Sequence, residues 1–293
     1  MPAQTRAPRS PTLIPAATSV PTSDARTFAN FQRIFIIVFE NLSFSRVMAD
    51  PYFTDLAKRG ALMTNYHGVS HPSQPNYIAM VAGDPLVQDD NRHNLPQTNL
   101  VDLLEAGSVS WKAYFENYPG QCNIDTAAGD TTTGQYVRRH NPFISFDNIR
   151  TNPARCAHLV NSDQLNNDLA NGTLPSYSFY VPNLYNDAHD KPLAYAANYL
   201  KTFLEPKLVD PVFMNSTLVV VTFDEDERQD DPSLHPIYTV LLGSMVRAGS
   251  TDKTNYNHYS LLRAIEDNFS LGTLGRNDAS ATPLAKCNFA GGC

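Results

Sequence analysis

The sequence predicts an α/β fold with a mostly parallel central sheet and helices on both faces. Two segments, Arg33–Phe39 and Thr217–Phe223, are continuous, apolar and rich in β-branched residues, as is typical of strands buried on both faces. Predicted helices alternate with strands along the chain, which is the pattern of parallel sheets with crossover helices. Polar residues follow both buried strands directly, and such sheets bind ligands at the carboxyl ends of their strands.

The other elements follow from periodicity and from Gly and Pro stop signals. Further strands are predicted at 62–66, 111–114, Tyr177–Val181 and 238–242, and helices at 48–60, 76–82, Leu100–Ala106, Leu193–Leu208 and 260–269. Residues 116–159 are rich in Asn, Thr, Gly and Pro without a clear period, so we expect a small insertion that caps the site.

Composition limits the domain count and the class of partner. Residues 1–27 are rich in Pro, Ser, Thr and Ala and lack the pattern of a signal peptide, so we expect a disordered leader before a single domain at 28–293. A chain of 293 residues, 42% of them hydrophobic, can bury one large core. The net charge of −7 and the absence of a long basic run disfavour a nucleic-acid partner. No apolar run approaches the roughly 20 residues of a membrane helix.

Four cysteines allow three disulfide pairings. Their spacing lacks the Cys-x-x-Cys pattern, which disfavours a zinc cluster. Cys287 and Cys293 flank a short tail and suit a local clasp, which would leave Cys122 to pair with Cys156 across the middle insertion. Four free thiols in a reducing compartment are the alternative.

Glycosylation acceptor tripeptides begin at Asn171, Asn215 and Asn268. Together with the even number of cysteines, they favour an oxidising, secretory environment, so we expect a secreted or cell-wall-associated glycoprotein. Asn41 also begins such a tripeptide, but we predict that it is unglycosylated because its position directly after a buried strand gives it another role.

Each of the two buried strands delivers two adjacent oxygen donors. Glu40 and Asn41 follow the first strand, and Asp224 and Glu225 follow the second. Carboxylate and amide oxygens suit hard cations such as calcium, magnesium or manganese. Either pair alone could be ordinary polar residues leaving a strand. The two pairs together favour a metal site, whereas the next two acids, at 226–227, are expected to be solvated.

A short loop between the two metal-ligand pairs places Ser73 between two prolines, Pro72 and Pro75, which restrict the backbone on both sides. A serine hydroxyl held near a divalent ion can ionise and attack phosphorus. The alternative is a proline turn whose serine caps the next helix, and spacing alone favours that alternative.

Histidines supply candidate proton donors, since imidazole titrates near working pH. We select His140, His189 and His258 as candidate catalytic residues, and His71 as a further residue of the site. The other four histidines, at positions 67, 93, 158 and 235, are expected to lie outside the chemistry.

Six segments resemble, in order, the motifs of the acid phosphatase and phospholipase C family of phosphoesterases. They are residues 39–44, 71–77, 139–143, 181–187, 222–225 and 258–266. Each segment alone is weak evidence, but their ordered combination is specific, and the resemblance covers about residues 33–274.

The resemblance implies an alkaline-phosphatase-like fold and a covalent phosphoserine on Ser73 that water later hydrolyses. It implies a divalent metal ion beside Ser73. Its expected ligands are Glu40, Asn41, Asp224 and Glu225, and its expected substrate-binding residues are His71, Asn76, Arg139 and Asp187.

The resemblance also ranks the possible activities. An acid phosphatase acting on small phosphate monoesters is expected first. A phospholipase C-type lipid phosphodiesterase, with phospholipids as substrates, is the alternative, but Arg often follows Pro-Asn in that branch and Tyr77 stands there in this chain. A non-catalytic secreted binding protein is least favoured, because no expected ligand or nucleophile is missing.

Overall fold

The computed structural model describes residues 31–120, 122 and 135–290, without the side chain of Cys287. The predicted leader at 1–27 and the predicted clasp between Cys287 and Cys293 therefore lie outside the described part of the chain.

An eight-stranded sheet forms the centre of the fold. The strands of the described ranges are β1 Arg33–Phe39, β2 Ala61–Met63, β3 Tyr66–His67, β4 Trp111–Phe115, β5 Leu159–Asn161, β6 Tyr177–Val181, β7 Thr217–Phe223, β8 Thr239–Leu242, β9 Ser250–Asp252 and β10 Tyr256–Asn257. The order in the main sheet is β5-β4-β6-β1-β7-β8-β2-β9, and β3 pairs with β10 separately. The first five strands in this order, β5, β4, β6, β1 and β7, are mutually parallel. Strand β8 is antiparallel to both of its neighbours, β7 and β2. The predicted fold class is thus confirmed.

Helices surround the sheet. They are α1 Phe44–Met48, α2 Pro51–Arg59, α3 Ser73–Ala82, α4 Leu100–Ala106, α5 Asp147–Arg150, α6 Pro153–Cys156, α7 Gln164–Ala170, α8 Leu193–Leu208, α9 Pro211–Met214, α10 His258–Asn268 and α11 Asn277–Ser280. Short 3₁₀ helices occupy Arg138–His140, Phe143–Ser145, Pro232–Leu234 and Lys286–Asn288. No helix in the described ranges is both long and apolar enough to cross a membrane.

Two predicted elements are divided in the structure. The helix predicted at 48–60 is interrupted because the Asp50 side chain accepts the N–H groups of Tyr52 and Phe53, at 2.8 and 3.3 Å, and so starts a new helix. The strand predicted at 62–66 is divided between β2 and β3, which belong to different sheets.

Aromatic packing fixes the position of the central strands. Phe35 in β1 packs on Phe203 of α8 and Phe213 of α9, with ring centroids 6.3 and 5.7 Å apart. Phe39, on the same face of β1, packs on Phe53 of α2 at 5.8 Å. Since β1 and β7 pair with Phe39 opposite Phe223, the residues that follow both strands emerge side by side.

The described part of the insertion contains two 3₁₀ helices together with α5 and α6. A disulfide joins Cys122 to Cys156, which confirms that predicted pairing. Backbone hydrogen bonds from Leu95 to Ser145, at 2.8 Å, and from Asp147 to Leu95, at 2.9 Å, tie the insertion to the segment before α4.

The predicted glycan acceptors differ in their surroundings. Asn171 and Asn215 are exposed in turns, as a modified residue must be. The Asn268 amide instead accepts the Phe31 N–H at 3.2 Å and donates to the Phe31 carbonyl at 2.9 Å. Glycosylation therefore stays a prediction, with Asn268 the least accessible of the three positions.

Candidate active site

The ends of β1 and β7 bring the four predicted metal ligands into one cluster, in which the three acids are buried. The Asp224 N–H donates to the Phe39 carbonyl at 2.9 Å, so the two strand ends stay paired. Asn41 has φ 41°, a left-handed conformation that Asn tolerates, and its N–H donates to Asp224 Oδ1 at 3.1 Å. Glu40, Asp224 and Glu225 are at most 1% exposed.

Ser73 is the first residue of α3 and points into this cluster. Its Oγ lies 3.3 Å from Glu40 Oε2, 3.5 Å from Asn41 Oδ1 and 3.1 Å from Glu225 Oε1. Pro72 occupies the N-cap position, so Ser73 does not cap the helix. Pro75 fits the first turn because N–H groups there need no helical partner.

The loop before α3 is held by Asn76. Its side-chain oxygen accepts the N–H groups of Val69 and Ser70 at 2.8 and 3.1 Å, and its Nδ2 donates to the carbonyls of Ser70 and Pro72 at 2.8 and 3.3 Å. The hydrogen-bonding capacity of the Asn76 amide is thus used within the loop. Gly68 passes so close to the end of β7 that an added Cβ would lie 3.0 Å from the Asp224 carbonyl oxygen.

The clustered carboxylates perturb each other. Burial, followed by the charge of Glu40, raises the pKa of Glu225 to about 8. Burial, followed by the charges of Glu40 and Glu225, raises the pKa of Asp224 well above its usual range. Asp224 Oδ2 is buried and has no hydrogen-bond partner in the described part of the protein. Like charges at this density favour a bound cation, since a positive charge would stabilise the ionised forms.

The donor set suits a hard divalent cation, because it consists of carboxylate and amide oxygens with the Ser73 hydroxyl beside them. Within the described ranges, no three His, Cys, Asp or Glu side chains are already arranged to hold a metal ion. The ligand set of Glu40, Asn41, Asp224 and Glu225 stays a prediction.

His140 is buried between two carboxylates and on an aromatic ring. Its Nε2 lies 2.6 Å from Glu40 Oε1, its Nδ1 lies 3.6 Å from Asp187 Oδ2, and its ring stacks on Tyr77 at 4.8 Å. Burial opposes the charged ring, but Glu40 and Asp187 outweigh burial and raise the pKa of His140 to about 9. Burial by itself would raise the pKa of Glu40. The charge and hydrogen bond of His140, followed by the charges of His189 and Arg139, outweigh burial and lower this pKa to about 2.

The loop after β6 delivers Asp187 and His189. Asp187 is fully buried, its carbonyl accepts the Glu40 N–H at 2.9 Å, and its Oδ1 accepts the His189 N–H at 2.9 Å. Burial, offset in part by His140, raises the pKa of Asp187 to about 6. The His189 ring is exposed, with Nδ1 2.7 Å from Asp190 Oδ1. Among the candidate histidines, His189 is thus the one whose ring faces solvent.

His71 and His258 contact Glu225 and Asp224, the two predicted metal ligands that follow β7. His71 Nδ1 pairs with Glu225, and burial lowers the pKa of His71. His258 Nε2 lies 2.5 Å from the Asp224 carbonyl oxygen and Nδ1 lies 3.4 Å from the Tyr66 hydroxyl. Full burial lowers the pKa of His258 to about 4, so its ring is neutral.

The four histidines expected to lie outside the chemistry have partners elsewhere. They contact Asn65, Asp89, the Trp111 carbonyl and Asp230, respectively, in the order His67, His93, His158 and His235.

One expectation about the acidic run after β7 is wrong. Asp226 is not solvated but 1% exposed, because its carboxylate pairs with Arg228 Nε and Nη2 at 2.7 and 2.8 Å. Glu227 is half-buried and accepts the Ser43 hydroxyl at 3.0 Å.

Two acidic residues near the site escaped the sequence analysis. Glu116 accepts the Asn183 N–H at 2.9 Å and the Asn186 side-chain amide at 2.8 Å, which fixes the turn leading to Asp187. It directly follows β4, so the rule that found Glu40 could have found Glu116. Asp90 accepts the Gln74 N–H at 2.9 Å, next to Ser73, and no pattern in the sequence marks it.

Comparison with solved structures gives the fold. A protein in the alkaline phosphatase superfamily from Vibrio parahaemolyticus matches with a TM-score of 0.61 and 12% identity, over 93% of this chain and 77% of that one. The lipoteichoic acid synthase LtaP from Listeria monocytogenes matches with a TM-score of 0.59 and 13% identity, over 93% of this chain and 80% of that one. The expected alkaline-phosphatase-like fold is confirmed.

Curated relatives are more similar in sequence. A probable acid phosphatase of Kluyveromyces lactis is 40% identical over 87% of this chain and 62% of its own length. An acid phosphatase of Aspergillus fumigatus is 36% identical over 87% of this chain and 58% of its own length. This chain thus spans about three fifths of either relative. A phosphatidylinositol-3-phosphatase of Mycobacterium tuberculosis is 30% identical over 89% of this chain and 81% of its own length.

The model of one protein family matches residues 42–272, a range that begins directly after the first pair of predicted ligands and includes Ser73 and the second pair. On the strength of this match and of the relatives above, the chain belongs to the Phosphoesterase family.

Proposed function

We propose that this protein is an acid phosphatase that hydrolyses small phosphate monoesters with Ser73 as its nucleophile. One observation carries the proposal. The Ser73 hydroxyl is buried at the start of a helix and lies within 3.5 Å of oxygens of Glu40, Asn41 and Glu225. The fungal relatives named as acid phosphatases support the reaction class.

Glu40, Asn41, Asp224 and Glu225 would hold one divalent cation of the calcium, magnesium or manganese type. The partnerless Asp224 Oδ2 and the crowding of buried carboxylates support this assignment. When bound, the cation would favour ionisation of the Ser73 hydroxyl and neutralise charge on the phosphoryl oxygens.

The proposed reaction has two steps, and residues of this chain have a role in each. Ser73 Oγ bonds to phosphorus as the ester oxygen leaves, and water then hydrolyses the resulting phosphoserine. Arg139 supplies positive charge for the phosphoryl oxygens, and its charge already acts on Glu40. His189, whose ring is exposed and contacts Asp190, is the candidate that donates a proton to the leaving oxygen.

Other candidates are better placed to position the site than to react. His140 lies between the Glu40 and Asp187 carboxylates, and His258 contacts the Asp224 backbone from a fully buried position. The Asn76 amide is used within its own loop. We therefore assign orientation of the ligands to His140 and His258, and orientation of Ser73 to Asn76. His71 would hold Glu225 in the same way.

The decisive experiment replaces Ser73 by Ala and assays an aryl phosphate at pH 5. We expect turnover to be lost while the fold survives, because only the nucleophilic oxygen is removed. Ser70→Ala is the matched control, since Ser70 lies in the same loop and its hydroxyl donates to the His71 carbonyl, at 3.2 Å. That variant should keep most of the activity.

Acid quenching of the wild-type reaction, followed by mass spectrometry, should find phosphate on the peptide that contains Ser73. Full activity in a folded Ser73→Ala variant would refute the nucleophile assignment. Chelation followed by addition of calcium, magnesium or manganese tests the cation, and we expect one of these ions to restore activity.

A lipid-borne substrate is the second candidate, favoured by the similarity to the mycobacterial phosphatidylinositol-3-phosphatase. A phospholipase C-type reaction has weaker support, since a non-hemolytic phospholipase C of Burkholderia pseudomallei is 26% identical over 60% of this chain and 29% of its own length. Assays with phosphatidylcholine and phosphatidylinositol 3-phosphate vesicles beside a soluble monoester separate the three activities. A strong preference for either lipid would reverse our order.

The disulfide between Cys122 and Cys156 supports an oxidising compartment, so we propose that the protein is secreted or associated with the cell wall. Fractionation of the native source, with detection of glycan on Asn171 or Asn215, tests this localisation.

A further inference from the structure

The segment 88–95 lies over the first turn of α3, next to Ser73. Gln74 Nε2 donates to the carbonyls of Asp89 and Asn91 at 2.9 and 2.7 Å, which fastens the segment to the helix. At its far end, the Leu95 N–H donates to the Ser145 carbonyl at 2.8 Å. The segment is therefore held at both ends and presents its side chains to the site in a defined position.

Asp90 belongs to this segment and lies beside the site. Its Oδ1 accepts the N–H of Gln74, the residue after Ser73, at 2.9 Å. Its Oδ2 lies 3.9 Å from Arg139 Nε. After burial and Glu40, the charge of Asp90 also contributes to the raised pKa of Glu225, which places the Asp90 carboxylate near the ligand cluster.

The two groups that Asp90 contacts are the kind that bind phosphate. N–H groups at a helix N-terminus and the guanidinium of Arg both stabilise anionic oxygens. The first turn of α3 has few such donors, because Pro75 has no N–H. A phosphoryl group that binds the Gln74 amide or Arg139 must therefore displace the Asp90 carboxylate from these groups. If it does not, its negative charge lies next to the negative charge of Asp90.

We propose that Asp90 competes with phosphate for the Gln74 amide and Arg139, and so weakens the binding of orthophosphate and of phosphate monoesters. This inference rests on the proposed function, because it takes Ser73 as the centre of the phosphate site. Weaker binding of orthophosphate would favour release of the product.

The test compares Asp90→Asn with Asp89→Asn. Asn at position 90 keeps an oxygen that can accept the Gln74 N–H but removes the charge. Asp89 is the matched control, because it belongs to the same segment, carries the same charge and uses its side chain on Asn91 and His93 instead. Both variants change the net charge equally, so a general field effect cancels in the comparison.

Binding of orthophosphate is measured at pH 5 and constant salt, by calorimetry and by competitive inhibition of aryl phosphate hydrolysis. We expect Asp90→Asn to bind orthophosphate about tenfold more tightly than the wild type, and Asp89→Asn to bind within about twofold of it. If Asp90→Asn does not fold, Asp90→Ser keeps a hydroxyl acceptor without charge and replaces it in the same comparison.

Equal affinities in the two variants, or weaker binding by Asp90→Asn, would overturn the inference and leave Asp90 as a helix cap. Such a result in an enzyme that still hydrolyses aryl phosphates leaves the proposed function intact. A wild-type protein that neither binds orthophosphate nor hydrolyses monoesters would refute the proposed function, and the inference with it.

Discussion

Glu266 in α10 is a buried acid outside the active site, and its environment predicts how stability depends on pH. Its side chain is 1% exposed and lies beside the buried Asp278. Burial, followed by the neighbouring Asp278, raises the pKa of Glu266 to about 8. Asp278 is itself buried and accepts the N–H groups of Leu274 and Arg276 at 2.7 and 2.9 Å.

The raised pKa of Glu266 makes the folded protein more stable in acid. The folded state keeps the carboxyl protonated up to about pH 8, whereas the unfolded chain ionises it near 4.5. This contribution to the free energy of unfolding is complete below pH 4.5 and is lost as pH rises towards 8. At about 1.4 kcal/mol per pH unit, the whole interval would correspond to about 5 kcal/mol. Relaxation of the protein around the buried charge reduces the expected loss to about 2 kcal/mol.

Glu266→Gln removes the titration and keeps the shape. We expect the variant to unfold like the wild type at pH 5 and to gain about 2 kcal/mol over it at pH 8, because no charge is then forced into the helix packing. Urea unfolding at pH 5, 6.5 and 8 measures this difference. Equal stability of the two proteins at pH 8 would refute the reasoning.

Glu205→Gln serves as a control of opposite sign. Hydrogen bonds from Arg59 are the largest cause that lowers the pKa of Glu205, so its carboxylate stabilises the fold above its unfolded pKa and loses this effect as pH falls. This variant should be less stable than the wild type at pH 8.

Three further changes test how the site is supported. Gly68→Ala should lower kcat for an aryl phosphate at least about tenfold, because the new Cβ would lie 3.0 Å from the Asp224 carbonyl oxygen and displace the residues that follow β7. An unchanged kcat would contradict this. Glu116→Ala should lower kcat about tenfold by freeing the turn at 183–186, with the thermal midpoint showing that the fold is kept. Replacing Cys122 and Cys156 by Ser should cost about 3 kcal/mol in urea unfolding, since their separation of 34 residues closes a long loop.

The cluster of acidic and amide side chains at the ends of β1 and β7 could be predicted from sequence because its signal is local. An apolar run such as Arg33–Phe39 identifies a strand buried on both faces, and the polar residue that ends the run must lie at the sheet edge. Pairing of β1 with β7 then brings Glu40 and Asp224 together. The same argument covers Glu116 after β4.

Residues whose role depends on packing between distant segments could not be found in this way. Asp90 belongs to an irregular segment and reaches the site only because Gln74 holds that segment on α3. Asp226 belongs to a run of four acids, which is typical of a solvated loop, and its burial depends on an ion pair with Arg228 that composition does not reveal.

The histidines show most clearly where sequence reasoning stops. His140 and His258 both follow from their motifs as candidate catalysts, and both are buried against a strand end, at Glu40 and at Asp224. His140 faces the side chains of Glu40 and Asp187 and is held as a cation, whereas His258 faces the Asp224 carbonyl and is held neutral. The same residue type is therefore a cation beside one strand end and neutral beside the other. Because the ring's neighbours decide this charge, a histidine's role in the site can be assigned only after the strand ends and their contacts are known.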